Sequence, residues 1–241
     1  MKLYPLKFEP ILKPMIWGGS DLCRFKSIKP EQAGIGESWE VSGVEGNVSI
    51  VSNGNFAGKA LDDVLKENKE ALVGKKVYEK YGDVFPLLIK FIDAKTDLSI
   101  QVHPDDKLGM ERHNSFGKTE MWYVIGAKDD AFLYTGFEKE LAPENYEASV
   151  NDNTFTDYLK KYHVAPGDVF FLPAGRVHAI GGGCFIAEIQ QTSNITYRIY
   201  DYDRTDSDGN KRELHTELAK DAIDYSVLDN YRTDYKPLVN A

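Results

Sequence analysis

The chain has 241 residues, 42% hydrophobic and 28% charged, a composition that gives a globular protein with a sizeable core. No stretch approaches the roughly 18 uninterrupted apolar residues needed to span a bilayer, and Met1–Glu9 contains no apolar run of the secretory kind. A net charge of −9 without a basic stripe excludes an ordinary nucleic-acid binder, and any anionic ligand must be captured by local Lys and Arg residues.

Candidate strands dominate the chain order. Phe85–Ile92 is an apolar run of strand length and Leu98–His103 follows it. Met121–Ile125 and Ala131–Tyr134 flank a turn containing Gly126. Val169–Leu172, Cys184–Ile189 and Thr196–Tyr200 complete the series. These segments are rich in β-branched and aromatic residues, and Gly, Pro, Asn and Asp punctuate the gaps. Helical spacing occurs near 59–70, over Thr154–Tyr162, and near 216–225 behind Thr216, a candidate N-cap. The helices do not alternate strictly with the strands. The expectation is therefore an antiparallel barrel or sandwich with helical additions, rather than a doubly wound parallel sheet. One domain over 1–241 is the economical reading, with Asp224–Tyr235 leading away from it.

The two cysteines, Cys23 and Cys184, form no metal pair and no disulfide framework, and read as reduced thiols in a cytoplasmic protein. Five histidines are present. His103 lies two residues after Gln101, so both project from one face of a strand, and Pro104 ends the strand behind them. Lys118 and Glu120 share a face if their strand begins early. His178 follows the Pro173–Gly175 turn, a way to bring an imidazole inward at a barrel mouth. Two imidazoles, a carboxylate and an amide oxygen can make a zinc site, although spacing alone leaves open that the histidines are ordinary hydrogen-bonded strand-end residues. His113, His163 and His215 match no motif and read as surface or helix-end residues. Asp201–Gly209 lacks the glutamate of a calcium loop, and Gly181–Gly183 lacks the Lys-Ser/Thr ending of a phosphate loop, so both read as turns.

Several separated segments, in order, resemble the type I mannose-6-phosphate isomerase (phosphomannose isomerase) family in its short bacterial branch. They are Trp17-Gly18-Gly19, Gly36–Glu40, Phe85–Lys90, Gln101–Asp106, Lys118–Tyr123, Pro173–Ala179 and Gln191–Arg198. The resemblance spans nearly the whole chain. It implies an all-β fold, a cupin-like jelly-roll β-barrel with a few accessory helices, and interconversion of mannose 6-phosphate with fructose 6-phosphate through an enediol. It implies one Zn²⁺ per chain held by His103, Glu120 and His178, with Gln101 as the fourth ligand. Arg198 falls on the family's catalytic arginine. Lys118 and Lys90 match lysines lining its pocket, and Glu188 an acidic position there. Arg198, Lys118 and Glu188 are thus the catalytic candidates, and Lys90, Lys118 and Arg198 the substrate-binding ones. Glu188 is the first candidate to carry the proton and Lys118 the second. Asn194 stands where better-studied members have an aspartate, and the family's further C-terminal β-domain is expected to be absent. The partner implied is a small sugar phosphate, with no nucleic acid or membrane, in a monomer or homodimer. Two alternatives remain beside the isomerase: a non-catalytic sugar-phosphate-binding cupin, and a metal-dependent cupin oxygenase.

Overall fold

A computed structural model describes residues 3–29, 32–205 and 208–235. Its strands are β1 (Ile11–Gly19), β2 (Ile35–Ser42), β3 (Leu87–Asp93), β4 (Ile100–Val102), β5 (Glu120–Ala127), β6 (Phe132–Phe137), β7 (Leu159–His163), β8 (Val169–Leu172), β9 (His178–Ile180), β10 (Cys184–Gln191) and β11 (Tyr197–Tyr200). They form a six-stranded sheet, β1-β2-β3-β10-β5-β8, and a five-stranded sheet, β11-β4-β9-β6-β7. Every ladder between named strands is antiparallel, as the sequence pattern predicts.

Alternation along each strand sorts the side chains by face, and the two larger core clusters lie on either side of the small sheet. Between the sheets lie Trp17, Ile92, Trp122, Val124, Leu133, Phe170, Leu172, Ile180 and Ile186. On the outer face of the small sheet, Ile100, Val102, Phe137, Tyr197 and Ile199 pack with Tyr146, Phe155, Ala219 and Ile223. The helices Tyr146–Asn151 and Thr216–Ala222 therefore cap that face and leave its inner side to the polar residues described below. Phe137 is fully buried, with ring contacts to Phe155 and Tyr225. Phe137→Ala should cost about 3–5 kcal/mol, because both the transfer energy and a cavity are lost. The check is urea unfolding at fixed m-value.

Helices form near 59–70 and 216–225 as expected, as Leu61–Asn68 and Thr216–Ala222. His215 rather than Thr216 occupies the N-cap position of the second. The expected helix over Thr154–Tyr162 is not one. Phe155–Tyr158 is a 3₁₀ turn and Leu159–His163 is a strand pairing with β6. The 3₁₀ turn suffices to bury Phe155 and Leu159 in the same cluster, and the free edge of β6 offers backbone partners that a helix would forgo. Gly181–Gly183 is the turn between β9 and β10. Within the polar turn at 201–209, Asp206 and Ser207 lie outside the described residues, as do residues 236–241 beyond Tyr235. Both cysteines are buried and free.

Candidate metal centre and adjoining cavity

The inner face of the small sheet presents one directly opposed row. Arg198 of β11 faces Gln101 of β4, Gln101 faces His178 of β9, and His178 faces Thr135 of β6. His103 follows β4, and its carbonyl accepts the Gly175 N–H at 2.9 Å, tying the strand end to the turn that precedes His178. Glu120 opens β5 of the large sheet and reaches across from the facing layer. Ligand atoms of His103, Glu120 and His178 all lie within 4.8 Å of one another. Glu120 Oε1 is 3.2 Å from His178 Nε2, and Oε2 is 3.5 Å from both His103 Nε2 and Lys118 Nζ.

These groups are polar, buried and short of partners. Among the described residues, His103 Nδ1 and Nε2 and both oxygens of Glu120 have no hydrogen-bond partner. Buried polar atoms are normally satisfied, so this cluster fits a bound cation. The donor set of two imidazoles and a carboxylate suits zinc. His178 Nδ1 lies 2.8 Å from the Arg176 carbonyl, to which it donates, leaving the Nε2 lone pair toward Glu120. Gln101 approaches through Nε2, 3.4 Å from His178 Nε2, so ligation by its amide oxygen needs that amide turned about its last bond.

The electrostatics agree with a site built to hold a cation. Burial, with the Lys118 ammonium beside it, pushes the His103 imidazole down to about 3. Burial likewise lowers His178. Burial alone would raise Glu120, but the Lys118 ammonium 3.5 Å away holds its carboxyl well below the usual carboxylate range. Two neutral imidazoles and a carboxylate are the protonation states a metal needs. Protonation then opposes the fold in acid. The unfolded chain takes up protons on these histidines near pH 6.5, whereas the folded, metal-free chain does so only at lower pH, about 3 for His103. Their contribution is present above about pH 6.5 and is lost as pH falls, and the depressed Glu120 adds to the loss below about pH 4.5. Chelator-treated protein should therefore lose stability from pH 7 to pH 4, by at most about 1.4 kcal/mol per pH unit for each histidine. Denaturant midpoints measured across that range are the check.

Beside the trio, a cavity of about 430 Å³ is lined by residues of both sheets. Gln101 and Lys118 line it and link it to the trio, with Gln101 Nε2 3.4 Å from His178 Nε2 and Lys118 Nζ 3.5 Å from Glu120 Oε2. Lys90, Glu188, Asn194 and Arg198 also face it, joined by Lys13, Glu37, Trp39, Ser99 and Arg212. Arg198 is held from behind. Its backbone N–H donates to His215 Nδ1 at 3.1 Å, and Nη1 donates to the Glu213 carbonyl at 2.8 Å. Asp201 is not its partner, because Arg204 and Arg212 occupy that carboxylate.

Residues 6–127 match the family model for the catalytic domain of type I phosphomannose isomerase. Probable mannose-6-phosphate isomerase GmuF of Bacillus subtilis (strain 168) is 40% identical over 241 residues, covering 99% of this chain and 74% of its own length. The chain belongs to the type I phosphomannose isomerase family. Mannose-6-phosphate isomerase ManA of the same organism is 39% identical over 97% of this chain and 72% of that relative. The crystal structure of mannose 6-phosphate isomerase from Bacillus subtilis superposes with a TM-score of 0.86 at 36% identity, covering 94% of this chain and 71% of that one. With such neighbours and two facing antiparallel sheets, the fold of this family member is cupin-like.

All the candidate residues meet around one cavity and the trio beside it, but sequence reading missed part of the lining. Glu37 and Trp39 entered only within a family segment, and Lys13 and Arg212 carried no signal of their own. Lys13 lies on β1 opposite Glu37, with its ammonium 4.9 Å from the Trp39 ring centroid and bonded to Asn47 Oδ1. Of the remaining histidines, His113 ends the helix Asp106–His113 and its Nε2 lies 2.8 Å from the Tyr197 hydroxyl. His163 is exposed at the end of β7.

Proposed function

We propose that this chain is a zinc-dependent aldose–ketose isomerase that interconverts mannose 6-phosphate and fructose 6-phosphate through an enediol. The observation that carries the reading is the buried His103–Glu120–His178 trio, in which the His103 and Glu120 side chains have no hydrogen-bond partner among the described residues, beside a cavity rich in cations in a chain of this family. His103, Glu120 and His178 hold the ion, with Gln101 as fourth ligand. Zinc bound there supplies Lewis-acid polarisation of substrate oxygens.

The reaction moves a proton between C1 and C2, and negative charge develops on the attached oxygens. Arg198 brings a fixed, planar cation to the cavity wall, for charge stabilisation or for capture of the phosphate. Lys118 is a second cation, already 3.5 Å from Glu120. Glu188 carries the proton. It lines the cavity, and burial together with the Glu120 carboxylate raises its proton affinity against the pull of Lys90 and Lys118. A carboxyl raised toward neutrality is suited to exchange a proton with a carbon acid.

The cavity wall comes from both sheets of one chain, so a single catalytic unit binds the substrate. No helix among the described residues is long and apolar enough to cross a membrane, and the free buried thiols suit a cytoplasmic setting. The test is conversion of mannose 6-phosphate to fructose 6-phosphate, with chelator and with zinc restored. Zinc-restored turnover supports the reading. Binding of the sugar phosphate without turnover favours a non-catalytic binding protein.

A further inference from the structure

Lys90 sits in the cavity wall where a lysine invites assignment to the substrate's phosphate, yet its surroundings argue for another task. Trp39, Lys90, Glu188 and Trp122 are directly opposed on β2, β3, β10 and β5, so their side chains share the inner face of the large sheet. Glu37 stands two residues before Trp39 on the same face. Lys90 Nζ lies 3.0 Å from Glu188 Oε1 and 3.5 Å from Glu37 Oε1. Each carboxylate is fixed at its other oxygen by an indole: Trp122 Nε1 donates to Glu188 Oε2 at 2.7 Å, and Trp39 Nε1 to Glu37 Oε2 at 2.6 Å. All three charged residues are less than a tenth exposed.

The arrangement has two consequences. Two carboxylates against one ammonium leave a net single negative charge, so the group repels a phosphate rather than attracting one. Among the described residues lining the cavity, the cations without a carboxylate within ion-pair distance are Lys13 and Arg198, whereas Lys118 and Arg212 pair with Glu120 and Asp201. Glu188 in turn is held at Oε2 by the Trp122 indole and at Oε1 by the ion pair with Lys90. Because Glu37 shares the ammonium, Glu188 keeps part of its negative charge uncompensated and remains a competent base. Glu120 and Lys118, from the β5 side, add one charge of each sign to its surroundings.

We infer that Glu37 and Lys90 are positioning residues for Glu188: the shared Lys90 ammonium orients the Glu188 carboxylate, and Glu37 keeps that ammonium from neutralising it. The inference rests on the proposed role of Glu188 as proton carrier. With Gln at 37, Lys90 pairs with Glu188 alone and weakens it as a base. With Met at 90, two buried carboxylates lose the cation between them. Removing both charges restores the net single negative charge.

The experiment is a double-variant cycle on the full, zinc-loaded chain: Glu37→Gln, Lys90→Met, and the two combined, with kcat, KM for mannose 6-phosphate and zinc content measured for each. Both single variants should lose about 10-fold or more in kcat, a part of what a general base contributes, with KM within about threefold of the parent and zinc retained. The combined variant should turn over faster than Lys90→Met alone, a non-additivity expected of groups acting as one unit. A Lys90→Met variant with parental kcat and a KM raised about tenfold or more would make Lys90 a substrate-binding cation and overturn the inference. Losses that simply multiply would overturn it too. Should Lys90→Met fail to fold, Glu37→Gln decides alone, since it keeps the acceptor for Trp39: parental kcat overturns the inference. Glu188→Gln separates the two levels. Parental turnover in that variant removes the proton-carrying role itself, whereas a dead Glu188→Gln beside fully active Glu37→Gln and Lys90→Met removes only the positioning role.

Discussion

Glu120→Gln is expected to abolish metal retention and isomerase activity together. Glu120 is the one carboxylate of the trio, and its oxygens face His178 at 3.2 Å and His103 at 3.5 Å. The substitution keeps size and shape but removes the charge that draws a divalent cation between two neutral imidazoles. An amide also offers one oxygen where the carboxylate offered two. Turnover should fall by more than about 10³-fold, because Lewis-acid polarisation of a substrate oxygen is worth several kcal/mol and each 1.36 kcal/mol is a factor of ten. The fold should survive, since the side chain keeps its volume among the same neighbours. The measurements are metal content after gel filtration, kcat/KM with zinc added, and circular dichroism. Parent protein stripped with chelator should show the same loss and recover it with zinc. Retained metal with lost activity would make Glu120 a reacting group rather than a ligand. Retained metal with retained activity would remove the trio from the mechanism.

Arg198→Ala should separate charge stabilisation from metal binding. Arg198 lines the cavity next to Gln101 in register, while its neighbours Tyr197 and Ile199 are buried on the opposite face against the helix Thr216–Ala222. Among the described residues its head group has no carboxylate within ion-pair distance and Nε has no hydrogen bond, which leaves its charge toward the cavity. Loss of such a fixed cation costs about 10²–10³ in kcat/KM. Zinc content should not change, because a guanidinium cannot ligate a cation. Arg198→Lys should recover little, since a point charge does not reproduce a planar fork held by the Glu213 carbonyl. Turnover of mannose 6-phosphate by Arg198→Ala at the parental rate would end the assignment and turn attention to Lys13, which also lines the cavity and has no carboxylate partner among the described residues.

The ordered segments Gln101–Asp106, Lys118–Tyr123, Pro173–Ala179 and Gln191–Arg198 made the family legible in the sequence, and two-residue spacing placed Gln101 and His103 on one strand face. Alternation also showed that Arg198 opposes Tyr197 and Ile199. These are local facts: a strand's period decides which face each residue takes. The period says nothing about which strand lies opposite, or in what register. That is why Lys90 reads as a pocket cation in sequence and emerges in the structure between Glu37 and Glu188, partners 53 residues before it and 98 after it in the numbering. It is also why Lys13 and Arg212 went unnoticed, and why Leu159–His163 could be mistaken for part of a helix until the free edge of β6 was there to pair with it. The sequence by itself determined the strand faces, the family and the candidate ligands. Only tertiary packing decided how the charges pair, because antiparallel ladders bring distant residues within a few ångströms, and in a buried setting the partner a charge acquires decides what it can do.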